Sequence, residues 1–573
     1  MKIDVLLKNA NVFNAYLKTF IQADVAVLQG KFLYIGTEET SGFEPEKIIN
    51  AQGKYMIPGL IDIHMHIESS MVAPLTFSRA LAKNGVTTIV AEPHEMGNVF
   101  GLEGIEAMMS AAQNCPIDIY FAIPSSVPST SADLETSGRE INLTELKQML
   151  KMDRVICLGE VMNYVDVVYH PEGKSNEFIQ YIKANKPYFA LEGHCPKLQG
   201  LELSRFIYSG VDSDHTEQTV QGIKERIING MFVQIQEKSL KKEIIEYLLK
   251  QGITEHFSFV TDDVMPNSLV KKGHLNHLVK KAMKLGMPPE LAIYAATYTS
   301  AKRMGFRDRG SIAPGKIADF VLLDDLREFT IDRTFKNGQE IYSAAGHVVK
   351  ETRDHSFPAH FYQSVHLPLL TGEQFTIKID RKDEAAVCRI ITVHSGTTFT
   401  QENFAAISIR DNQLDWESSP YCLAVVMERH GKNRNIGYAL VGGDVITRGA
   451  VATTYEHDSH NLLVLGRNKQ DMMKAANSVI EKQGGYYVVE AGKVIGKADL
   501  PIAGILSDKP VAEFGAAIQS VIDALQHLGY KHPNIIMSIS TLSLPVSQEL
   551  KITDKGLVKV SEQKLVPLIV ENG

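Results

Sequence analysis

The sequence predicts an α/β protein organised around a (β/α)8 barrel, with a composite small β domain and an additional C-terminal α/β domain. Three observations predict it. Between Ile57 and about Met304, short apolar strands alternate with amphipathic helical stretches, the pattern of a parallel sheet wrapped by helices. The strands number eight, and their span is close to the ~250 residues such a barrel usually takes. Histidine and carboxylate side chains recur at the ends of those strands, where barrels of this kind keep their chemistry.

Length and composition set the frame. At 573 residues the chain is too long for one core and divides by length into roughly three or four domains. Hydrophobic content of 44% with 22% charged residues describes an ordinary globular protein. A net charge of −8 and a pI near 6.2 offer no basic field to nucleic acid or to an anionic membrane, so the expected partner is a small molecule. Cys115, Cys157, Cys195, Cys388 and Cys422 form no CxxC pair, which argues against a disulfide framework or a thiolate zinc site and for a reducing compartment. The first residues turn polar too early for a signal peptide, and no apolar run has the length of a membrane span. A cytoplasmic location is expected.

In chain order, Asp4–Leu7, Asp24–Leu28 and Lys31–Ile35 read as strands of a small sheet, too small to make a core unaided. Barrel strands are expected over 60–66, 86–92, 117–123, 155–160, 188–193, 209–213, 231–236 and 256–261. Residues 306–350 return to β texture: a Gly- and Pro-bearing turn over 310–316 leads into Ala318–Leu323. Residues 1–54 and 306–355 are therefore expected to form one composite β domain, 55–305 the catalytic barrel, and 356–573 a C-terminal domain that covers or flanks the active site. In that last part Ile436–Val441 and Asn461–Gly466 read as strands, and 469–483 and 511–528 carry helical periodicity.

The chemistry starts from His64-Met65-His66. Side chains alternate along a strand, so both imidazoles point to one side and can share a metal. Glu160 ends strand four, His194 ends strand five, His215 follows strand six and Asp262 ends strand eight. Each has an ordinary reading alone: a surface carboxylate, a helix cap, a hydrogen-bonded bystander. Together they bring six nitrogen or oxygen donors to one rim. That set suits two divalent ions, one held by His64, His66, Glu160 and Asp262, the other by Glu160, His194 and His215, with Glu160 as the bridge. A water between the ions becomes hydroxide near neutral pH, and Asp262 can take its proton and pass it to a leaving group.

These residues carry a resemblance. Pro58-Gly59-Leu60-Ile61-Asp62-Ile63-His64-Met65-His66-Ile67-Glu68-Ser69-Ser70, Glu92-Pro93-His94-Glu95, Gly159-Glu160-Val161-Met162-Asn163, Ser213-Asp214-His215 and Thr261-Asp262-Asp263 resemble the amidohydrolase superfamily and, within it, the bacterial adenine deaminases. The likeness continues through Arg429-His430-Gly431 and His457-Asp458-Ser459-His460-Asn461 and covers nearly the whole chain. It implies hydrolytic deamination of adenine to hypoxanthine and ammonia, a purine-salvage reaction, on Mn2+ or Fe2+, with Zn2+ as an alternative. It also implies a glutamate bridge where many superfamily members use a carboxylated lysine, and Glu160 stands at that place. By analogy with such enzymes a homo-oligomer is expected.

His94 and Glu95 at the end of strand two, Glu68, Asp263 and His274 are candidates for substrate contact, each with a structural alternative: loop ordering for His94 and Glu95, a ligand-orienting or surface acid for Glu68, a helix start for His274. The His457–His460 run is read as part of a lid or a stabilising segment rather than as a third metal site. The chain departs from the family pattern at Val264-Met265-Pro266-Asn267, where a basic residue and a histidine are usual before the proline, and at Asn276, where an aspartate is common. Those departures keep two alternatives in view: a related metal-dependent deaminase or cyclic amidohydrolase acting on another aminopurine or heterocycle, and a non-catalytic metal-binding relative.

Overall fold

The computed structural model describes residues 1–38, 40–346, 357–380 and 383–570. Eight parallel strands form the barrel: β1 (Leu60–Met65), β2 (Val86–Ala91), β3 (Asp118–Ile123), β4 (Val155–Val161), β5 (Ala190–Gly193), β6 (Ser213–Asp214), β7 (Phe232–Ile235) and β8 (Phe257–Phe259). Strands β1 to β5 pair in chain order, as do β6 to β8. Two junctions close the ring. Asp212 N–H reaches the Leu191 carbonyl at 3.4 Å between β5 and β6, and Asp262 N–H donates to the His64 carbonyl at 3.1 Å where β8 meets β1. All six residues of β1 and of β2 are buried, as expected of strands covered on both faces.

The sixth strand differs from expectation. Residues up to Ser209 belong to the helix Gly200–Ser209, which stops at Gly210 in a left-handed conformation (φ 119°), and the strand is only Ser213–Asp214. The expected strand over 209–213 holds Val211 as its one strand-favouring residue and takes in Ser209 and Gly210, which end the helix before it. The shift leaves His215 directly after the strand.

A second sheet packs outside the barrel. Lys2–Asn14, Thr19–Leu28, Lys31–Gly36, Glu44–Asn50 and Tyr55–Pro58 pair with Phe320–Asp325, Thr330–Lys336 and Gln339–Ser343. The join between its two chain segments is antiparallel, with Ile57 opposite Val321. Ion pairs tie it to the barrel: Asp118 at the start of β3 lies 2.6 Å from Arg309 Nη1 and 2.9 Å from Lys336 Nζ. The expected boundary at 355/356 lies outside the described residues.

The C-terminal part is built on a nine-stranded sheet running from Gln413–Leu414 to Lys493–Asp499, with Ile436–Gly443 and Leu462–Gly466 near its centre. Helices Lys469–Lys482 and Val511–His527 flank it. One continuous apolar core runs from barrel residues such as Met65, Met71 and Val72 to Tyr455, Leu506 and Phe514 of this part. Strand-paired contacts also cross between them, since Ala73 N–H donates to the Ser507 carbonyl and Ser507 N–H to the Met71 carbonyl, at 2.9 and 2.8 Å.

Candidate metal centre

All six predicted donors meet at the C-terminal rim of the barrel. His66 Nε2 stands 3.4 Å from Glu160 Oε1 and 3.5 Å from Asp262 Oδ1, and His64 Nε2 lies 3.7 Å from the same Asp262 oxygen. The other Glu160 oxygen faces the second pair, 2.7 Å from His194 Nδ1 and 3.1 Å from His215 Nε2. The His64 and His215 rings stack with centroids 3.8 Å apart. Donor atoms of His64, His66 and Glu160, and separately of Glu160, His194 and His215, lie close enough to share an ion. His64 Nε2 is buried without a hydrogen-bond partner among the described residues, an orphan that a metal would satisfy. The donor set, imidazole nitrogens with carboxylates, fits a divalent cation.

Several of these candidate ligands are held from behind. His66 Nδ1 lies 3.1 Å from the Glu92 carbonyl; donating its proton there leaves Nε2 free to ligate. Glu160 is fixed by its backbone: its N–H donates to Glu92 Oε2 at 2.6 Å, and its carbonyl accepts from Ser125 Oγ at 2.6 Å. Gly159 makes that approach feasible, because a Cβ there would fall 2.4 Å from the Glu92 oxygen. Asp214, beside His215, accepts from Cys195 N, Thr216, Gln218 and Arg226, which locks the β5 and β6 loop ends together. Asp62 does the same across the closing junction, accepting from Thr261 N at 3.1 Å and Thr261 Oγ1 at 2.6 Å. Asp262 itself adopts φ 58°, which turns its carboxylate back over the barrel mouth.

Electrostatics follow from this crowding. Burial opposes the charge on Glu160, yet His194 and His215 hold its carboxyl well below the usual carboxylate range. Burial likewise opposes Asp262, and His64 and His66 hold it low. Both groups are therefore anionic at neutral pH, as cation ligands must be.

The candidate substrate contacts divide. His94 starts the helix His94–Phe100 after β2 and stands beside the rim, its ring centroid 4.8 Å from that of His66. Against the penalty of burial, Glu92 raises its pKa to about 10. Asp263 also reaches the rim, where it groups with His66 and Asp262 and accepts from Ser69 Oγ at 2.5 Å. Glu68 is fully buried, one oxygen receiving Met96 N–H at 3.4 Å. Glu95 turns away from the rim toward the C-terminal part, 3.1 Å from His457 Nε2 and 3.7 Å from His460 Nε2. His274 lies beneath the site: its Nε2 meets Thr261 Oγ1 at 3.1 Å, and it precedes the helix Leu275–Lys284. Sequence reasoning did not single out Glu92, Asp62 or Asp458 as contributors. All three sit inside the quoted motifs, but Asp458 is brought near, with Oδ1 3.9 Å from His94 Nε2, by packing of the C-terminal part on the barrel.

Comparison with known proteins agrees with this geometry. The amidohydrolase family model matches residues 55–341, and the model of the adenine deaminase C-terminal domain matches 397–564. An adenine deaminase 2 from Shouchella clausii is 50% identical over 571 residues, covering 100% of this chain and 99% of that protein. The chain belongs to the adenine deaminase family. A second member, an adenine deaminase from Clostridium perfringens, is 49% identical and covers 99% of this chain and 100% of its own. Among solved structures, a β-aspartyl dipeptidase from Fervidobacterium islandicum AW-1 is 18% identical, with a TM-score of 0.47, over 62% of this chain and 99% of that one. In this adenine deaminase family member the candidate metal donors come from the barrel, and the C-terminal part supplies groups facing His94 and Glu95.

Proposed function

We propose that this chain deaminates adenine hydrolytically, giving hypoxanthine and ammonia, with two divalent ions, Mn2+ or Fe2+ and alternatively Zn2+, as cofactors. The observation that carries the reading is the posture of Glu160, whose two oxygens each face a different histidine group. His64, His66, Glu160 and Asp262 would hold one ion, and Glu160, His194 and His215 the other. When bound, such ions acidify water so that a hydroxide nucleophile is available near neutral pH.

The chain's own residues do the rest. Asp262, anionic and at the mouth, takes a proton from the oxygen that adds to C6 of the purine and delivers it to the exocyclic nitrogen. As the oxygen adds, the C6=N1 electron pair moves to N1, which takes the water's other proton; the exocyclic C6–N bond then breaks with loss of ammonia, and C6 keeps the new oxygen as its carbonyl. Asp62 and Thr261 hold the Asp262 loop against β1, which fixes the distance over which that proton moves. His94, a buried ring beside the rim that Glu92 keeps protonated, favours electron-rich edges of the heterocycle.

Full-length relatives named adenine deaminase support adenine over another aminopurine. The two departures from the family pattern are occupied elsewhere: Asn267 Nδ2 donates to Gln519 at 3.0 Å, and Asn276 Oδ1 accepts the His274 N–H at 2.8 Å. No helix among the described residues is long and apolar enough to cross a membrane. A cytoplasmic homo-oligomer stays part of the reading, with the assembly state to be checked by sedimentation. The deciding test is a substrate screen of the manganese-loaded chain over adenine and other aminopurines. Adenine is expected to be the best substrate, and turnover confined to a different heterocycle would refute the assignment.

A further inference from the structure

The His457–His460 segment has work that the metal chemistry does not use. It enters the barrel mouth from the C-terminal part and meets the helix that starts at His94. His457 is engaged: Nε2 lies 3.1 Å from Glu95, and Nδ1 contacts Ser540 Oγ. Asp458 is not fully engaged. It is 2% exposed, its Oδ1 stands 3.9 Å from His94 Nε2, and its Oδ2 has no hydrogen-bond partner among the described residues. A buried carboxylate oxygen left without a donor is costly, and such an oxygen beside a reaction site implies a donor that arrives with the ligand.

The geometry supplies the ligand's dimensions. His94 bridges from the donor cluster to Asp458, with Nδ1 3.7 Å from Glu92 and Nε2 3.9 Å from Asp458, and an atom of its ring groups with Glu92 and Glu160. The distance from the metal donors to Asp458 is thus one imidazole side chain and two contacts. A flat bicyclic heterocycle lying along His94 spans it, with the reacting carbon at the donors and the far ring at Asp458. The chemistry there is acceptor-rich, since Glu135 Oε2 is also buried and without a partner among the described residues, and the Asp458 charge is among the causes that raise the Glu135 pKa. What Asp458 Oδ2 lacks among the described residues is an N–H donor, His94 Nε2 standing toward Oδ1.

The geometry points to Asp458 as a substrate-contacting, specificity-determining residue, whose free oxygen accepts a hydrogen bond from the imidazole N–H of the purine. This rests on the adenine reading above. It gives the C-terminal part a direct place in the active site and a reason for selecting free bases with an unsubstituted imidazole ring over bases whose ring nitrogens are blocked.

The test compares adenine with an analogue in which sulfur replaces the imidazole N–H, in the metal-loaded wild type and in Asp458→Ala and Asp458→Asn. A site built to hydrogen-bond an N–H strongly rejects an analogue lacking it, so wild type is expected to prefer adenine by about 100-fold or more in kcat/KM. Asp458→Ala is expected to bring the ratio to near unity through a raised KM for adenine, with metal content unchanged; Asp458→Asn, which keeps an acceptor, is expected to recover part of the preference. An Asp458→Ala enzyme with the full preference would overturn the assignment. So would loss of a third ion from the variant, which would make the site a cation site. If the variants do not fold, the wild-type ratio decides alone, and equal turnover of both compounds overturns the assignment. A wild type inert toward adenine would instead refute the functional reading, and this assignment with it.

Discussion

At the scale of single residues, metal holding and proton transfer are separable. Asp262 faces both His64 and His66, so its replacement by Asn keeps an oxygen at the rim but removes the group that can carry a proton. Asp262→Asn is expected to keep most of its metal and to lose turnover by about 10²–10⁴-fold, the range typical of a removed general base, as measured by elemental analysis beside a steady-state assay. Near-normal turnover would take Asp262 out of the proton pathway. Glu160 is different because both of its oxygens are committed. Glu160→Gln loses the bridging charge and is expected to drop both ions together, from about two per chain to fewer than one; retention of either ion at full occupancy would show that Glu160 does not bridge.

At the scale of elements, stability at the rim depends on joints between strands rather than on the ligands. Thr261 donates twice to Oδ2 of the buried Asp62 across the β8–β1 junction, and Thr261→Val removes the hydroxyl donor while the backbone N–H remains. That change is expected to cost about 1–3 kcal/mol in denaturant unfolding. On the opposite end of the barrel, burial works against the Asp118 charge, but Lys336 and Arg309 hold its pKa at about 2. A carboxyl whose folded value is depressed contributes stability that is fully present above its ordinary value near 3.8 and is lost as pH falls toward 2. Asp118→Asn is therefore expected to destabilise the wild-type fold at pH 6 and to narrow the gap at pH 2–3, visible as converging melting curves. These joints also explain what could be read from the chain. Strand-end placement is a local property, so His64, His66, Glu160, His194, His215 and Asp262 were legible from strand order alone. The sixth strand was not, because the expected stretch 209–213 holds only Val211 as a strand-favouring residue and overlaps the end of the preceding helix. Glu92 was hidden for another reason: its role lies in a contact with Glu160 N–H across 68 residues.

At the scale of the whole molecule, the C-terminal part is bound to the barrel by one apolar core and by the Glu95–His457 contact, which joins residues 362 positions apart. No pattern in the sequence reports a pairing at that distance, which is why Glu95 read as a substrate contact and Asp458 did not. A shared core implies shared cooperativity, so barrel and C-terminal part are expected to unfold in one calorimetric transition; two resolved transitions would mean that the interface contributes little. Tyr455, Met71 and Leu506 lie in that core, so the His457–His460 segment begins two residues after a side chain shared with the barrel core. The central claim joins both halves: a metal centre in the barrel that puts a water-derived oxygen on the purine. Its most direct measurement is turnover of adenine in heavy-oxygen water by the chain loaded with about two ions. The account predicts hypoxanthine carrying one labelled oxygen and one ammonia per adenine consumed. A fully metal-loaded chain that leaves adenine unchanged, or a product without the label, would contradict it.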